Sequence, residues 1–269
     1  MHIVITGASS GIGAALAREL AKVSGVRLTL VARRRVLLEE LAQALPVKSF
    51  VVERDLSKLE GATDWLADAE RENGPVDVLI NNDGVQVIGR TEAIDVARGE
   101  ASLHVNLLTP LRLTRAVLPG MIARGRGTVV DVASMAALAP TPGMTYYNAS
   151  KAGLAAASEA LRGELRGTGV DVVTVYPGIV ATDMADDALA AYGTNLALRL
   201  QPRGTTAGLA AAVRHAIFRK KARVVYPRAY FFVRWFGPVV RWFVDRFAPA
   251  LRSEASERAV VAAATEVSS

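Results

Sequence analysis

The sequence has 269 residues, no cysteine and few aromatic residues, which make up 6% of the chain. The lack of cysteine excludes disulfide bonds, thiolate metal ligands and thiol nucleophiles, and it fits a reducing compartment. No run of about 18 or more uncharged apolar residues occurs, so we do not expect a transmembrane helix. The N-terminal stretch Met1–Gly7 has no basic region followed by an apolar core, so we do not expect a signal peptide. These absences together predict a cytoplasmic protein.

The composition predicts one folded domain with a basic surface. Hydrophobic residues make up 51% of the chain and charged residues 22%, which is enough apolar material for a packed core. The net charge of +6 favours anionic ligands or surfaces. Its arginines are scattered, apart from Arg33–Arg35 and a group near the C-terminus. Because no zinc-binding, helix-turn-helix or aromatic RNA-binding pattern accompanies them, we expect neither a metal site nor nucleic-acid binding.

Short apolar runs alternate with longer helical stretches over the first two-thirds of the chain. The predicted strands are His2–Thr6, Arg27–Ala32, Lys48–Arg54, Val76–Ile80, Thr128–Ala133 and Val170–Tyr176. The predicted helices are Ile12–Val23, Leu37–Leu45, Lys58–Glu72, Glu100–Arg124 and Tyr146–Arg166. Apolar strands separated by helices predict an α/β fold, a Rossmann-type doubly wound parallel sheet with helices on both faces. We expect a single domain over residues 1–228, with its binding crevice at the carboxyl ends of the strands.

A glycine-rich turn, Thr6-Gly7-Ala8-Ser9-Ser10-Gly11-Ile12-Gly13, follows the first predicted strand and leads directly into a helix. The glycines let the backbone approach a pyrophosphate, and the helix N-terminus offers unpaired N–H groups and a partial positive charge. A tight strand-to-helix connection could use glycine for purely structural reasons. The position at the start of a βαβ pattern favours a dinucleotide-binding turn.

The second predicted strand ends in Val31-Ala32-Arg33-Arg34, without an acidic residue. An acid near this position accepts hydrogen bonds from the ribose 2′-hydroxyl of NAD, whereas an arginine accommodates the 2′-phosphate of NADP. The sequence therefore favours NADP(H) over NAD(H), although Arg33–Arg35 could simply cap a helix and face water. Asp55 and Leu56, at the end of the third strand, are a plausible contact for an adenine ring.

Four polar residues form the candidate catalytic set: Asn106, Ser134, Tyr147 and Lys151. Tyr147 and Lys151 are four residues apart in a predicted helix and so lie on one face, where an ammonium would lower the pKa of the phenol. Ser134 follows a buried strand and could hold a carbonyl oxygen at the crevice. Asn106 is a mediocre helix former inside a helix, and holding a water near Lys151 would explain it. Each residue taken singly also has a structural interpretation.

In this order and spacing, the motifs resemble the short-chain dehydrogenase/reductase family, in its single-domain branch. The resemblance runs from Met1 to about Met184. It comprises the glycine turn, Asp55-Leu56, Asn81-Asn82-Asp83-Gly84, Asn106, Ser134, Tyr147-x-x-x-Lys151, and Pro177-Gly178 with Thr182.

The resemblance implies roles for these residues. Tyr147 would be the proton donor, Ser134 the group that orients the substrate, Lys151 a ribose ligand that depresses the pKa of Tyr147, and Asn106 the holder of a relay water. Segment Pro177–Thr182 would pack along the nicotinamide. The cofactor-binding set then comprises Gly7, Ser9, Ser10, Gly11, Ile12, Gly13, Arg33, Arg34, Asp55, Leu56, Asn82, Gly84, Tyr147, Lys151, Pro177, Gly178, Val180 and Thr182.

The resemblance has one departure and one further implication. The family usually has alanine where this chain has Asp83, and a carboxylate there must face solvent, pair with a cation or repel a phosphate. The resemblance also implies a homodimer or homotetramer built on the helices that contain Asn106 and Tyr147.

The family motifs end at about Asp183. By resemblance, residues 183–204 form a lid, whose alanine- and leucine-rich part Met184–Leu200 favours an apolar substrate, although an ordinary surface helix would look similar. Residues 229–252 are aromatic and basic, and Pro238 is expected to kink or divide a helix there. Within this segment, 230–247 could pack against the domain or a partner subunit, lie peripherally on a membrane, or wall the substrate site. Residues 253–269 are expected to fray.

The sequence therefore predicts an oxidoreductase that exchanges a hydride between NADP(H) and a ketone/secondary-alcohol pair, with an apolar small molecule as substrate. The alternative is a non-catalytic protein of the same fold that senses a dinucleotide or mediates an interaction. The complete set of Asn106, Ser134, Tyr147 and Lys151 favours the enzyme, because a protein without chemistry has no need of a tuned tyrosine.

Overall fold

The protein is described by a computed structural model that covers residues 1–192 and 201–247. Residues 193–200 of the predicted lid and 248–269, which include the predicted tail, lie outside the described residues. The strands are β1 His2–Thr6, β2 Arg27–Ala32, β3 Ser49–Glu53, β4 Val78–Asn81, β5 Gly127–Val132, β6 Val170–Pro177, β7 Ile179–Val180, β8 Arg203–Gly204 and β9 Arg223–Tyr226. Seven of them form one parallel sheet in the order β3-β2-β1-β4-β5-β6-β9, and β7 pairs separately with β8.

Helices cover the sheet. They are α1 Gly11–Leu20, α2 Arg35–Ala44, α3 Trp65–Asn73, α4 Val96–Leu103, α5 Thr109–Ala123, α6 Thr145–Glu164, α7 Asp183–Ala191, α8 Thr206–Phe218, α9 Phe231–Trp235 and α10 Gly237–Phe247. Along β1, Ile3 and Ile5 pack with α1, α2 and α8, whereas Val4 packs on the opposite face with α3 and α5. Alternate strand residues point to opposite faces, so both faces of the sheet are covered. The predicted doubly wound fold is confirmed.

The strand order determines where the ligand-binding crevice lies. The order reverses at β1, which lies between β2 and β4, and this switch point is where open parallel sheets bind ligands. The carboxyl ends of β1, β4, β5 and β6 lead respectively into the glycine turn, Asn82, Ser134 and Gly178. The sheet therefore collects the predicted site residues along one edge.

Several predicted boundaries differ from the structure. The predicted helix Lys58–Glu72 is helical only from Trp65, because the preceding residues form turns and Gly61 adopts a φ of +60°. The predicted helix Glu100–Arg124 begins earlier, as α4, and passes through a π-helical turn, His104–Leu108, before it continues as α5. Among the described residues, no helix is long and apolar enough to cross a membrane.

Candidate active site

The glycine turn is packed so tightly that side chains would not fit. Gly7 has a φ of +66°, and a Cβ atom there would lie 2.7 Å from the Cα atom of Asp83. A Cβ atom on Gly13 would lie 2.1 Å from the carbonyl oxygen of Gly7. Helix α1 begins at Gly11, so its N-terminus points its free N–H groups at the same crevice. This cradle fits the pyrophosphate of a dinucleotide.

Asn82 holds the glycine turn against the end of β4. Its side-chain amide donates to the carbonyl oxygen of Thr6 at 2.9 Å, and its backbone N–H donates to the Thr6 hydroxyl at 3.0 Å. The backbone N–H of Asp83 donates to the same hydroxyl, also at 3.0 Å. These bonds make Asn82 a positioning residue that sets the shape of the cradle.

Arg34 lies over the same turn. Its guanidinium donates to the hydroxyl of Ser9 at 3.1 Å and to that of Ser10 at 2.6 Å. Arg33 is also exposed, and its positive charge acts on Asp55 and Asp83. Two guanidinium groups and two hydroxyls therefore surround the place where β2 ends, a donor set suited to a phosphate.

Asp55 and Leu56, which follow β3, differ in the environment of their side chains. The carboxylate of Asp55 accepts from the backbone N–H of Ser57 at 3.0 Å and from its hydroxyl at 2.7 Å. Burial alone would raise the pKa of Asp55, but the bonds from Ser57 and the charge of Arg33 bring it below its ordinary value. The side chain of Leu56 is buried in the core at 2% exposure, so a ligand contact of this residue would have to come from its backbone.

Ser134 and Tyr147 meet at the end of β5. The hydroxyl of Ser134 accepts from the backbone N–H of Ala136 at 3.1 Å, which caps a short 3-10 turn and holds the serine at the crevice. Tyr147 lies in the first turn of α6 and is 9% exposed. Burial raises the pKa of Tyr147, and a hydrogen bond with Ser134 opposes the rise. The direction is opposite to the predicted lowering by Lys151, because desolvation of the phenol is the dominant effect on its pKa.

Lys151 is buried one helical turn after Tyr147. Its ammonium donates to the carbonyl oxygen of Val132 at 2.9 Å. Burial lowers the pKa of Lys151 from 10.5 to about 8, while the negative charges of Asp83 and Asp131 oppose this fall. The ammonium is therefore bonded to the end of β5, and two carboxylates act on it through their charge.

Asn106 lies in the π-helical turn and holds the loop after β4. Its side-chain oxygen accepts from the backbone N–H of Val85 at 2.9 Å, and its amide donates to the Val85 carbonyl at 2.9 Å and to the Ser150 hydroxyl at 3.0 Å. A Cβ atom on Gly84 would lie 3.3 Å from the Asn106 oxygen and 3.2 Å from the Lys151 ammonium. The water-holding role stays a prediction, and the side chain shapes the floor of the crevice beside Lys151.

The segment after β6 closes the crevice. Pro177 ends β6, Gly178 donates its N–H to the Tyr226 carbonyl at 2.7 Å, and Val180 is buried in the short pair with β8. Thr182 caps α7, and its methyl group would be 3.4 Å from a Cβ atom on Gly11. The segment therefore lies against the glycine turn, as a covering for a bound dinucleotide would.

The structure adds apolar residues that sequence reasoning missed. Met144 and Tyr192 are buried in one cluster with Tyr147, and Ile88, Ala136 and Ala188 pack against it. The hydroxyl of Tyr192 donates to the Pro142 carbonyl at 2.7 Å, and burial raises its pKa to about 12. Tyr192 is an isolated aromatic residue in an alanine-rich predicted lid, and that contrast was the available signal.

Asp83 occupies the middle of this site. Its carboxylate accepts from the Gly84 N–H at 3.0 Å, and the side chain is half-buried. Burial raises its pKa, and the charges of Arg33 and Lys151 oppose the rise. Arg33 and Lys151 therefore act on Asp83 through their charge, and none of the salt bridges among the described residues includes this carboxylate.

A dinucleotide cradle, a tyrosine and serine at the carboxyl edge and a buried lysine one turn away are together the features of a dinucleotide-dependent oxidoreductase. Comparisons with known proteins agree. The short chain dehydrogenase family model matches residues 1–193. The ketoacyl reductase HetN of Nostoc sp. is 34% identical over 227 residues, which cover 83% of this chain and 77% of that protein. An NADP-dependent 3-hydroxy acid dehydrogenase of Schizosaccharomyces pombe is 36% identical over 189 residues, 68% of this chain and 73% of that protein.

Solved structures give the same result. A short-chain dehydrogenase from Streptomyces avermitilis superposes with a TM-score of 0.76 at 31% identity, covering 91% of this chain and 94% of that one. An alcohol dehydrogenase from Comamonas testosteroni, described as specific for bulky-bulky ketones, gives 0.71 at 29% identity, covering 84% and 86%. The chain belongs to the short-chain dehydrogenase/reductase family. It is an oxidoreductase acting on CH–OH and C=O groups, and its family uses nicotinamide dinucleotides.

Proposed function

We propose that this protein is an NADP(H)-dependent reductase of apolar ketones, with Tyr147 as the proton donor. The observation that carries the proposal is the meeting of Tyr147 and Ser134 under the apolar cluster of Met144 and Tyr192. A nicotinamide bound along Pro177–Thr182 would supply the hydride. Ser134 would hold the carbonyl oxygen, and the phenol of Tyr147 would protonate it as negative charge develops. Such acid catalysis contributes about 10²–10⁴-fold.

The resting protonation state favours reduction. A proton donor must be neutral before the reaction, and burial raises the pKa of Tyr147, which keeps the phenol protonated at neutral pH. Lys151 would bind the ribose, as the family resemblance implies, and its charge would stabilise a phenolate after the proton has left. Apolar neighbours around the phenol would accept a ketone with hydrocarbon substituents more readily than a sugar.

A pair of adjacent tyrosines provides the test. Tyr147→Phe should lower the rate of NADPH oxidation with a responsive ketone about 10²-fold or more while leaving NADPH binding within about twofold. Tyr146 packs its ring on Gly99 of α4, so Tyr146→Phe is the matched control and should keep full activity. Wild-type turnover by Tyr147→Phe would refute the mechanism. Tight binding of NADPH without oxidation on any ketone or aldehyde would instead favour a non-catalytic dinucleotide sensor.

Adjacent arginines test the choice of cofactor. Arg34 bonds to Ser9 and Ser10 of the glycine turn, whereas Arg35 pairs with Glu39 on the outer side of α2 at 2.7 Å. We expect Arg34→Ala to weaken NADPH binding about tenfold and NADH binding little, because one charged hydrogen-bonding group to the 2′-phosphate is lost. Arg35→Ala should change neither. Equal loss for both dinucleotides in Arg34→Ala would argue against a 2′-phosphate site.

We also propose that a second copy of the chain packs on α5 and α6. Leu111 and Ile122 of α5 are 40% and 43% exposed, and both line an apolar groove of about 760 Å³ between the two helices. Leu118 and Leu161 continue the groove. Apolar helix faces of this kind are typical of subunit contacts.

A further inference from the structure

An unusual concentration of exposed rings follows β9. The aromatic patch consists of Phe231, Phe232, Trp235, Phe236, Val239 and Trp242, and each of these side chains is 51–68% exposed. All six are large hydrophobic residues, and they lie within the twelve positions from 231 to 242. Single exposed hydrophobic residues are common, but a continuous patch indicates an interaction surface. Among the described residues these six side chains are not buried, whereas Tyr230 and Val233 of the same segment pack against the domain.

The arrangement of the rings in the patch favours a lipid layer as its partner. The segment is divided at Phe236 into α9 and α10, as Pro238 predicted, and both helices are short. Three ring pairs, Phe231–Phe232, Phe231–Trp235 and Phe232–Phe236, contact one another at centroid distances of 6.2–6.4 Å. The rings contact one another, and each of them remains more than half exposed. A lipid headgroup layer accepts exposed rings without a matching cavity, and tryptophan and phenylalanine are typical of helices that lie in that layer.

The charge of the segment completes the match. Residues 228–247 contain four arginines, at 228, 234, 241 and 246, and a single acid, Asp245, which gives a net charge of +3. Arg228 and Arg241 are exposed beside the patch. Basic residues that flank membrane-inserted rings bind anionic headgroups, and each Lys or Arg near the membrane surface contributes about 1 kcal/mol of binding free energy. We propose that the aromatic patch docks this protein onto bilayers that contain anionic lipid, with the rings inserted among the headgroups.

Docking would bring the mouth of the active site to the membrane. The segment begins at the carboxyl end of β9, the same edge of the sheet as Ser134. Tyr230 and Val233 pack against Ala133 and Met135, which flank Ser134. Tyr230 also fills the space above Gly178, where a Cβ atom would lie 2.4 Å from its ring. Resting on the proposed function, this arrangement implies that the ketone is a lipid-like molecule taken from the bilayer.

Vesicle flotation of the full chain tests the docking. The wild type should float with vesicles of phosphatidylcholine and phosphatidylglycerol, and much less with phosphatidylcholine alone. Trp235→Ser combined with Trp242→Ser should lower partition at least about tenfold, because two large rings no longer leave water. Phe218→Ser is the matched control, since Phe218 is 47% exposed at the end of α8, next to the amino end of β9.

Charge variants test the lipid preference separately. Arg228→Gln combined with Arg241→Gln should lower partition onto anionic vesicles about fivefold for each arginine, and leave partition onto phosphatidylcholine unchanged. Arg219→Gln combined with Lys221→Gln removes equal charge at the opposite edge of the sheet and should have no effect. Equal flotation of the wild type and the tryptophan variant would overturn the proposal. A wild type that ignores vesicles, with a tryptophan variant of smaller mass in light scattering, would assign the patch to a partner subunit.

Activity measurements separate the docking from the proposed function. The tryptophan variant should reduce a water-soluble ketone at the wild-type rate but lose most of its activity on a long-chain ketone dissolved in anionic vesicles. Loss of both activities would overturn the link between docking and substrate delivery. Vesicle binding by a wild type that reduces neither ketone would refute the proposed function and leave the docking supported.

Discussion

Replacing Lys151 by methionine should stabilise the ligand-free protein while it removes activity. The side chain of Lys151 is 4% exposed, and burial lowers its pKa from 10.5 to about 8. The folded chain therefore holds this proton less tightly than the unfolded chain does. Methionine fills nearly the same space without a charge, and it removes the cost of burying one.

The size of the effect follows from the pKa values. One pKa unit corresponds to about 1.4 kcal/mol, so a fall from 10.5 to about 8 costs about 3 kcal/mol of folding free energy below pH 8. The variant also loses the hydrogen bond to the Val132 carbonyl, which is worth about 1 kcal/mol. We expect the free energy of unfolding of Lys151→Met to exceed that of the wild type by about 2 kcal/mol at about pH 7.

The advantage should fade as the pH rises. Between about pH 8 and pH 10.5 the unfolded chain binds more protons at this position than the folded chain, so the stability of the wild type increases with pH relative to the variant. At about pH 9.5 only about 1 kcal/mol of the cost remains, which the lost hydrogen bond roughly cancels. The two proteins should then be nearly equally stable.

Urea unfolding followed by tryptophan fluorescence measures both quantities. Lys221→Met is the control, because Lys221 is exposed and its replacement should change the stability by less than about 0.5 kcal/mol at either pH. A variant less stable than the wild type at neutral pH would show that the charges of Asp83 and Asp131 outweigh the burial. A difference that does not change with pH would show that Lys151 does not titrate in this window. Either result would refute the reasoning.

Three other substitutions follow from the site and the groove. Asp83→Asn keeps an acceptor for the Gly84 N–H but removes a negative charge from the site, so NADPH should bind several-fold more tightly. The lost charge also raises the pKa of Lys151 in the wild type, so the alkaline limb of the kcat/KM profile should move to lower pH by about one unit. An unchanged profile would contradict the charge interaction. Gly13→Ala should abolish NADPH binding in a fluorescence titration, because its Cβ atom would lie 2.1 Å from a carbonyl oxygen, and retained affinity would show that the turn can relax. Leu111→Lys should shift the mass in light scattering to that of a monomer, and an unchanged oligomer would exclude α5 from the contact.

The sequence predicted the elements that have a strong local signal. Strands β1 and β2 match their predicted bounds, because an apolar run ends at a glycine turn in one and at arginines in the other. Lys58–Glu72 was predicted as one helix because Leu59, Ala62, Leu66 and Ala69 keep helical spacing. The spacing alone did not reveal that the first half of this stretch is a series of turns. Periodicity reports which residues are buried, and turns can bury residues at the same intervals.

The sequence predicted which residues meet at the site better than it predicted their pKa values. The sequence predicted that Ser134, Tyr147 and Lys151 meet at the carboxyl edge of the sheet, because strand ends and a four-residue helical step fix their positions. It did not predict that burial raises the pKa of Tyr147, because the residues that bury the phenol, Met144 and Tyr192, lie outside the motif. Desolvation depends on the packing of distant segments, which a motif does not contain. The edge strand β9 and helix α8 were likewise not assigned.

One physical cause links the chemistry of this site to its selectivity. The apolar neighbours that keep water from Tyr147 also keep its phenol neutral, and a neutral phenol is the form that can protonate a reduced carbonyl. The same exclusion of water lowers the pKa of Lys151, so holding an amine beside the phenol lowers the free energy of unfolding. A polar pocket would relieve both costs, but it would solvate the phenol and weaken the proposed preference for hydrocarbon substituents. Acid strength, stability and substrate class therefore cannot be changed independently here, and a variant that opens the apolar cluster should alter all three together.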